Sequence, residues 1–412
     1  MTGSARAFVL VLDGLGVGNM EGASTPNTLA SIARVAGKPH LPNLAKMGLL
    51  RLLGDPAPGI PREAGAAWGK SRIAHPGADT YLGHQEMMGT IPPAPERPVM
   101  DEVGDALIAS LGKVGIAAHW RHLSGTGSVL VSDNAVIADN IEAARGLNIN
   151  VTGSLDEMSF EQIEQIGLAV RDATRVTRVI PVGGRGYTLA DILGHVRRHP
   201  DGHVGVDTPS LGVYDENYIV RHLGFPVATD RQAPSLARAA GLQVALIGKA
   251  ADVLACPDPT LSNNAIDTEE VFRLARGALE GFTGGLIIAN VQETDLAGHE
   301  QDSHRYRRVL ELVDHELESV SKLLTRADLL LITADHGNDP SIGTSQHTRE
   351  FVPILLSGAC IQPGPLSTRA TLADVGATVC AWLDLDPPAD GTPIMTPDTS
   401  PAGRNLTERG HK

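Results

Sequence analysis

The densest chemistry in the chain lies in Thr333-Ala334-Asp335-His336-Gly337-Asn338-Asp339, with His347 eleven residues beyond His336. An adjacent carboxylate and imidazole, joined by a second imidazole across a Gly-containing loop, are the hard and borderline donors that bind a divalent transition metal. Asp295 and His299 stand four apart, so a helical turn would bring both side chains to one face. Asp13 ends the apolar run Phe8-Val9-Leu10-Val11-Leu12, and Lys249 follows Ile247-Gly248, where its cation could neutralise a phosphate. A helix opening at Thr80 would set that hydroxyl against free backbone N–H groups and the positive end of the helix dipole, a place that stabilises a phosphoryl group. His84, four residues on, would share the same face. Each fragment also fits a plainer role: threonine as an N-cap, aspartate after a strand as a turn residue, loop histidines simply exposed.

The plainer roles do not account for the coincidence. At least four strand-like runs lead into polar groups, and a buried sheet gains no stability from gathering carboxylates at one edge, because like charges repel unless something cationic lies between them. Asp13, Asp295, Asp335, His299, His336, His347 and the Thr80 hydroxyl together suffice for two metal ions. A two-metal centre suits in-line displacement at phosphorus, so the set predicts phosphoryl-group chemistry.

The elements that must position these groups alternate strand and helix signals. Residues 8–12, 244–247, 286–291 and 328–332 read as strands buried on both faces, and in open α/β sheets ligands sit at the carboxyl ends of such strands. Gly14-Leu15-Gly16-Val17-Gly18-Asn19 fails as a dinucleotide fingerprint, since its third glycine would fall on Asn19 and no helix is signalled there. Residues 26–50 predict two short helices and 303–324 a long one, through Tyr306, Val309, Val313, Leu317, Val320 and Leu324. Val352-Pro353-Ile354-Leu355-Leu356 predicts a strand whose proline suggests an edge position or an irregular start, and a helix over 371–383 closes the core.

Between about residues 100 and 225 the character changes. Short strand-like runs at 129–131, 179–182 and 204–206 alternate with helical patterns, and Ser159-Phe160-Glu161-Gln162 matches a capping box ahead of Ile163, Ile166 and Val170. The polar candidates there, Asp133, Arg178, Arg185 and Asp207, read as surface residues. The expectation is an α/β protein in two parts. Residues 1–98 and 226–412 form a core with a central, mostly parallel sheet flanked by helices. Residues 99–225 form a smaller inserted α+β domain, bounded by the Pro-rich stretch 91–98 and the Gly224-Phe225-Pro226 turn.

A chain of 412 residues with 42% hydrophobic and 20% charged residues has the composition of a soluble globular protein. A formal net charge of -14 disfavours nucleic acid and anionic membrane as partners and leaves room for a local basic pocket. Cys256, Cys360 and Cys380 show no C-x-x-C spacing and read as core thiols of a cytoplasmic protein. The first apolar run is too short for a signal peptide or a membrane span. Nothing in the sequence indicates an oligomeric state.

Asp13, Thr80-x-x-Gly83-His84, Asp295-x-x-x-His299, Asp335-His336-Gly337-Asn338-Asp339 and His347-Thr348-Arg349-Glu350 together resemble the alkaline phosphatase superfamily and, within it, the phosphopentomutases. The likeness extends over Gly83-His84-x-Glu86-Met87-Met88-Gly89, Ile247-Gly248-Lys249 and the run from Leu329 to Pro353. It implies an alkaline-phosphatase-like core with an inserted substrate cap. Asp13, Thr80, Asp335 and His336 match the positions that hold one manganese ion, and Asp295, His299 and His347 those that hold the other; the ligand types also permit zinc or magnesium. Thr80 matches the threonine that carries the activating phosphate. Lys249 matches a lysine near the substrate, Asp133 loosely matches a ribose-contacting position, and Arg185 and His84 are further candidates on the substrate side.

In such mutases the phosphothreonine donates its phosphoryl group to a pentose monophosphate and takes back the other phosphate of the bisphosphate, interconverting ribose 1-phosphate and ribose 5-phosphate. The implied activity is that of an isomerase acting on a small phosphorylated metabolite. The alternatives are a metal-dependent phosphomonoesterase or phosphodiesterase with the same centre and, from another class, a metal-binding protein without catalysis. Three features depart from the pattern. Asp295 and His299 are four apart, as in cofactor-independent phosphoglycerate mutases, where phosphopentomutases have five. Gln85 replaces the familiar tryptophan, and residues 215–230 stand where an arginine-rich substrate segment is expected.

Overall fold

The computed structural model describes residues 5–23, 25–54, 64–143, 145–213, 218–358 and 361–394. They fall into two units, residues 1–93 with 227–412, and residues 94–226.

The first unit is built on an eight-stranded sheet in the order Leu261–Asn263, Gln243–Ile247, Gly285–Val291, Arg6–Leu12, Leu329–Thr333, Val352–Ser357, Ala67–Ser71, Gly364–Pro365. The first five strands run parallel, so their carboxyl ends share one edge. Arg6–Leu12 and Gly285–Val291 are buried at every residue, as unbroken apolar runs require when helices cover both faces. The long Ser303–Leu323 helix buries Tyr306, Val309, Val313, Leu317 and Val320 against the core. Residues 26–50 hold the short helices Thr28–Val35 and Pro42–Met47, and no helix opens at the glycine run after Asp13.

Of the two alternatives for Pro353, the irregular start of the Val352–Ser357 strand holds and the edge position does not. The strand lies inside the sheet, antiparallel to both neighbours. Pro353 is tolerated because pairing with Leu329–Thr333 begins only at Leu355, so no ladder N–H is missing on that side.

The second unit carries a mixed sheet in which Ile219–Val220, Arg178–Gly184, Asn148–Ser154, Ala135–Asp139, Gly127–Ser132 and His119–Leu123 follow one another, with Leu223–Gly224 also on Arg178–Gly184. The helices Met100–Lys113 and Phe160–Ala173 bury Leu107, Leu111, Ile163, Ile166 and Val170 in its core. Ser159 and Gln162 form the capping box. A two-stranded ribbon, Val196–Arg198 with Val204–Val206, completes the unit.

Among the described residues no helix is long and apolar enough to cross a membrane. Cys256 and Cys380 are free thiols, pushed up by burial to about 11 and about 12; Cys360 lies outside the described residues.

Candidate metal centre

Asp13 and Asp335 leave adjacent parallel strands at one level. Val11 pairs with Thr333, and two further steps along both chains bring the carboxylates together. The Gly14 and His336 backbone N–H groups both donate to Asp335 Oδ1 at 3.1 Å. On the other side of the Arg6–Leu12 strand, Asn290 Nδ2 donates to Asp13 Oδ2 at 3.1 Å. The Glu293–His299 helix then carries Asp295 and His299 on one face, with His299 Nε2 3.3 Å from Asp295 Oδ2. Lys249 Nζ lies 2.9 Å from Asp13 Oδ2 and 3.2 Å from Asp295 Oδ2.

Thr80 is the first residue of the Thr80–Met87 helix. The N-cap is Asp79, whose side chain accepts from the Leu82 N–H, so the threonine is freed from that plainer role. Its Oγ1 is 2.6 Å from His336 Nε2. His347 returns to the centre because Gly337 and Thr348 form an antiparallel bridge, and its ring stacks on His336 with centroids 3.8 Å apart.

The three outer histidines share one arrangement. Their Nδ1 atoms face backbone carbonyls: His336 on Gly337 at 3.1 Å, His299 on Ser345 at 2.7 Å and His347 on Ala78 at 2.9 Å. A carbonyl only accepts, so Nδ1 carries a proton and Nε2 is the nitrogen left to face the aspartates or a metal ion. The Nε2 atoms of His336 and His347 lie 3.3 Å from Asp335 Oδ2 and 3.4 Å from Asp295 Oδ1. Backbone carbonyls behind imidazoles are the usual support of metal-ligating histidines.

Two compact groups result, Asp13 with Asp335 and His336, and Asp295 with His336 and His347; within each, the ligand atoms lie within 4.8 Å of one another. His336 belongs to both, and His299 Nε2 reaches His347 Nε2 at 3.1 Å.

The electrostatics ask for a cation. Burial, then the neighbouring charges of Asp335 and Asp295, push the Asp13 carboxyl up to about 7 despite Lys249. Burial works against ionisation of Asp335 and Asp295 too, yet His336, His84 and Lys249 bring Asp335 down, and the His299 and His347 hydrogen bonds bring Asp295 down. Burial lowers His336 to about 4, which leaves a neutral imidazole. Asp13 Oδ1 and Asp335 Oδ2 are buried and accept no hydrogen bond, a costly arrangement without a positive partner. Three carboxylates, three imidazoles with Nε2 turned inward and two orphaned oxygens fit divalent ions.

The substrate-side candidates are placed differently. His84 is fully buried, with Nδ1 2.9 Å from the Thr80 carbonyl and 3.3 Å from Asp335 Oδ2, and Nε2 3.1 Å from Asn290 Nδ2. Both nitrogens are engaged, Nδ1 by the Thr80 carbonyl and Nε2 by Asn290, so neither is free for a substrate. Asp133 and Arg185 belong to the second unit. Asp133 forms a two-residue hairpin turn with φ +47°, and Arg185 is an exposed guanidinium paired with Asp156 at 2.9 Å.

Several supporting residues carried no separate signal in the sequence. Asn338 Nδ2 donates to the Asp295 carbonyl at 3.1 Å and to Oδ1 at 2.8 Å. Glu350 accepts from the Thr28 and Gly18 N–H groups and the Thr28 and Thr348 hydroxyls, and Asp339 accepts from Asn27 N–H and the Ser31 hydroxyl. Their presence inside the quoted motifs was the one available hint.

The metalloenzyme superfamily matches residues 5–387. A phosphopentomutase of Symbiobacterium thermophilum is 30% identical over 397 residues, covering 93% of this chain and 96% of that protein. A phosphopentomutase of Methylobacterium nodulans is 31% identical over 429 residues, covering 93% and 98%. A Leishmania mexicana phosphoglycerate mutase structure, obtained at low cobalt concentration, matches with a TM-score of 0.51 at 15% identity over 95% of this chain and 97% of that one, which speaks for a shared fold. Matched along nearly its whole length by the superfamily and by curated mutases, the chain belongs to the phosphopentomutase family of the metalloenzyme superfamily and is a metal-binding phosphomutase, an isomerase.

Proposed function

We propose that the protein interconverts ribose 1-phosphate and ribose 5-phosphate in the cytoplasm, with Thr80 carrying the transferred phosphoryl group and two divalent ions, manganese in the first place, at the centre. The observation that carries this reading is the common orientation of His299, His336 and His347, each with Nδ1 on a backbone carbonyl and Nε2 turned toward aspartates, with Thr80 Oγ1 2.6 Å from one of those nitrogens. The choice of a pentose phosphate is supported by relatives named phosphopentomutases.

Asp13, Asp335, His336 and Thr80 would hold one ion, and Asp295, His299 and His347 the other. When bound, such ions neutralise phosphoryl oxygens and stabilise the charge that builds in the transition state. Thr80 stands where the free N–H groups of a helix start favour an anion, and the Lys249 ammonium, between Asp13 and Asp295, adds a fixed positive charge to the centre. A sugar hydroxyl attacks the phosphorus on Thr80, its O–P bond forming as the Thr80 Oγ–P bond breaks, which yields a sugar bisphosphate. The second phosphate then moves to Thr80 Oγ by the same exchange and restores the phosphothreonine.

The test is phosphorus NMR of ribose 1-phosphate with manganese-loaded, phosphorylated enzyme. Growth of the ribose 5-phosphate resonance without inorganic phosphate is expected. Inorganic phosphate rising in step with substrate loss would instead assign a phosphomonoesterase, and no change with either pentose phosphate would overturn the choice of sugar.

A further inference from the structure

In the second unit, the ribbon of Val196–Arg198 and Val204–Val206 turns through His199-Pro200-Asp201-Gly202-His203. The backbone closes this turn with His199 N–H on the His203 carbonyl and Gly202 N–H on the His199 carbonyl, both at 2.9 Å. Two imidazoles are thereby held on either side of one carboxylate. His199 Nδ1 lies 3.0 Å from Asp201 Oδ1, and His203 Nδ1 contacts the same oxygen. The ring centroids are 4.7 Å apart, and one ligand atom from each of the three residues lies within 4.8 Å of the others.

We propose that this turn binds one divalent cation of the zinc class through His199, Asp201 and His203, independently of the centre described above. Two imidazoles and a carboxylate with an open fourth position are a common zinc ligand set, and ligands about 2.0 to 2.2 Å from zinc at tetrahedral angles lie roughly 3.3 to 3.5 Å from each other. Both Nδ1 atoms already converge on one Asp201 oxygen, and the three ligand atoms lie within 4.8 Å of one another, so binding needs a local rearrangement of one turn.

The burial of His203 does not oppose the exchange of its proton for a cation. The His203 side chain is fully buried and its Nε2 has no hydrogen-bond partner. That nitrogen is unsatisfied in either tautomer, so replacing the Nδ1 proton by a cation adds no new unpaired group. The His199 and Asp201 side chains are 41% and 40% exposed, which gives an ion a way in. The neighbouring cation, Arg198, is turned onto the Thr126 and Gly202 carbonyls at 2.8 Å. Desolvation raises the Asp201 carboxyl, but the His203 and His199 hydrogen bonds outweigh it and bring it to about 2, so the third ligand is a carboxylate at neutral pH.

The experiment is equilibrium dialysis of the full chain against buffered free zinc, with bound zinc counted by elemental analysis. Wild type is compared with His199→Ala and Asp201→Ala, while manganese-dependent mutase activity monitors the fold. His199 is exposed at the turn and lies outside the catalytic centre, so the fold should survive its loss. The expected result is one equivalent of zinc fewer in both variants with activity retained. Zinc content equal to wild type in either variant overturns the proposal.

Discussion

The Nε2 atoms of His299 and His347 face each other at 3.1 Å, although both rings give their Nδ1 protons to carbonyls elsewhere, at Ser345 and Ala78. Two lone pairs at that distance repel unless a proton or a metal ion lies between them. Chelation is therefore expected to lower the melting temperature, and restoring a divalent ion to raise it by mass action. His347→Ala should weaken manganese binding at least tenfold in a calorimetric titration. An unchanged affinity would remove His347 from the ligand set.

Thr80→Val keeps the volume and removes the hydroxyl that approaches His336. Mutase turnover should be lost, and intact-protein mass spectrometry should no longer find the increment of one phosphoryl group. Metal content should stay near wild type, because three carboxylates and three imidazoles remain. Retained turnover would show that the phosphoryl group travels without a threonine carrier.

Asn338 braces Asp295 from behind through two hydrogen bonds. Asn338→Ala leaves every charged ligand in place and is expected to weaken metal binding roughly 10- to 100-fold, as loss of an outer support does. A calorimetric titration with manganese checks this, and the far-UV spectrum should be unchanged.

Much of this arrangement was legible in the chain because its signals are local. Apolar runs ending at Asp13 and before Asp335, the spacing of Asp295 and His299, and the helix opening at Thr80 each occupy a few residues, and parallel strands carry them to a common edge. The supports were not legible. Asn338 reaches Asp295 across 43 residues, and Glu350 reaches Thr28 across 322, distances over which one sequence gives no pairing signal. Pro353 left an edge and an irregular start both open for a related reason: which of them holds depends on where a neighbouring ladder begins. His84 misled because its four-residue spacing from Thr80 gives the face it occupies but not what packs against that face.

Glu86 is buried and accepts five donors: the Ala74, His75 and Leu372 N–H groups, the His75 ring and the Thr371 hydroxyl. Burial raises its carboxyl, but the His75, Thr371 and Ala74 hydrogen bonds outweigh it and hold it below the ordinary value of 4.5. A carboxyl lower in the folded than in the unfolded chain adds stability above its unfolded value, and that stability is lost as pH falls through the folded value. Glu86→Gln turns an amide toward donors and should cost roughly 2 to 4 kcal/mol at neutral pH. In urea melts the gap from wild type should narrow below about pH 4.5, since only wild type loses an ionised acceptor there. A gap constant from neutral to acid pH would mean that the carboxylate charge is not what the five donors hold.

Gly83 lies inside the Thr80–Met87 helix, where alanine is normally better than glycine by about 1 kcal/mol. Here the order should reverse. A Cβ at Gly83 would come within 2.6 Å of the Asp335 carbonyl oxygen and 3.0 Å of the Asp335 Cβ, so the helix carrying Thr80 and the strand end carrying Asp335 would have to separate. Overpacking of this kind costs about 1 to 3 kcal/mol, and moving a reacting group by about 1 Å costs on the order of 100-fold in rate. Gly112, in the Met100–Lys113 helix, is the control, because nothing lies within 4 Å of a Cβ built there. Gly112→Ala should therefore raise the melting temperature and leave kcat/KM unchanged. Gly83→Ala should lower both, and a neutral effect there would mean that helix and strand end have room to spare, contrary to the close approach that holds Thr80 against His336.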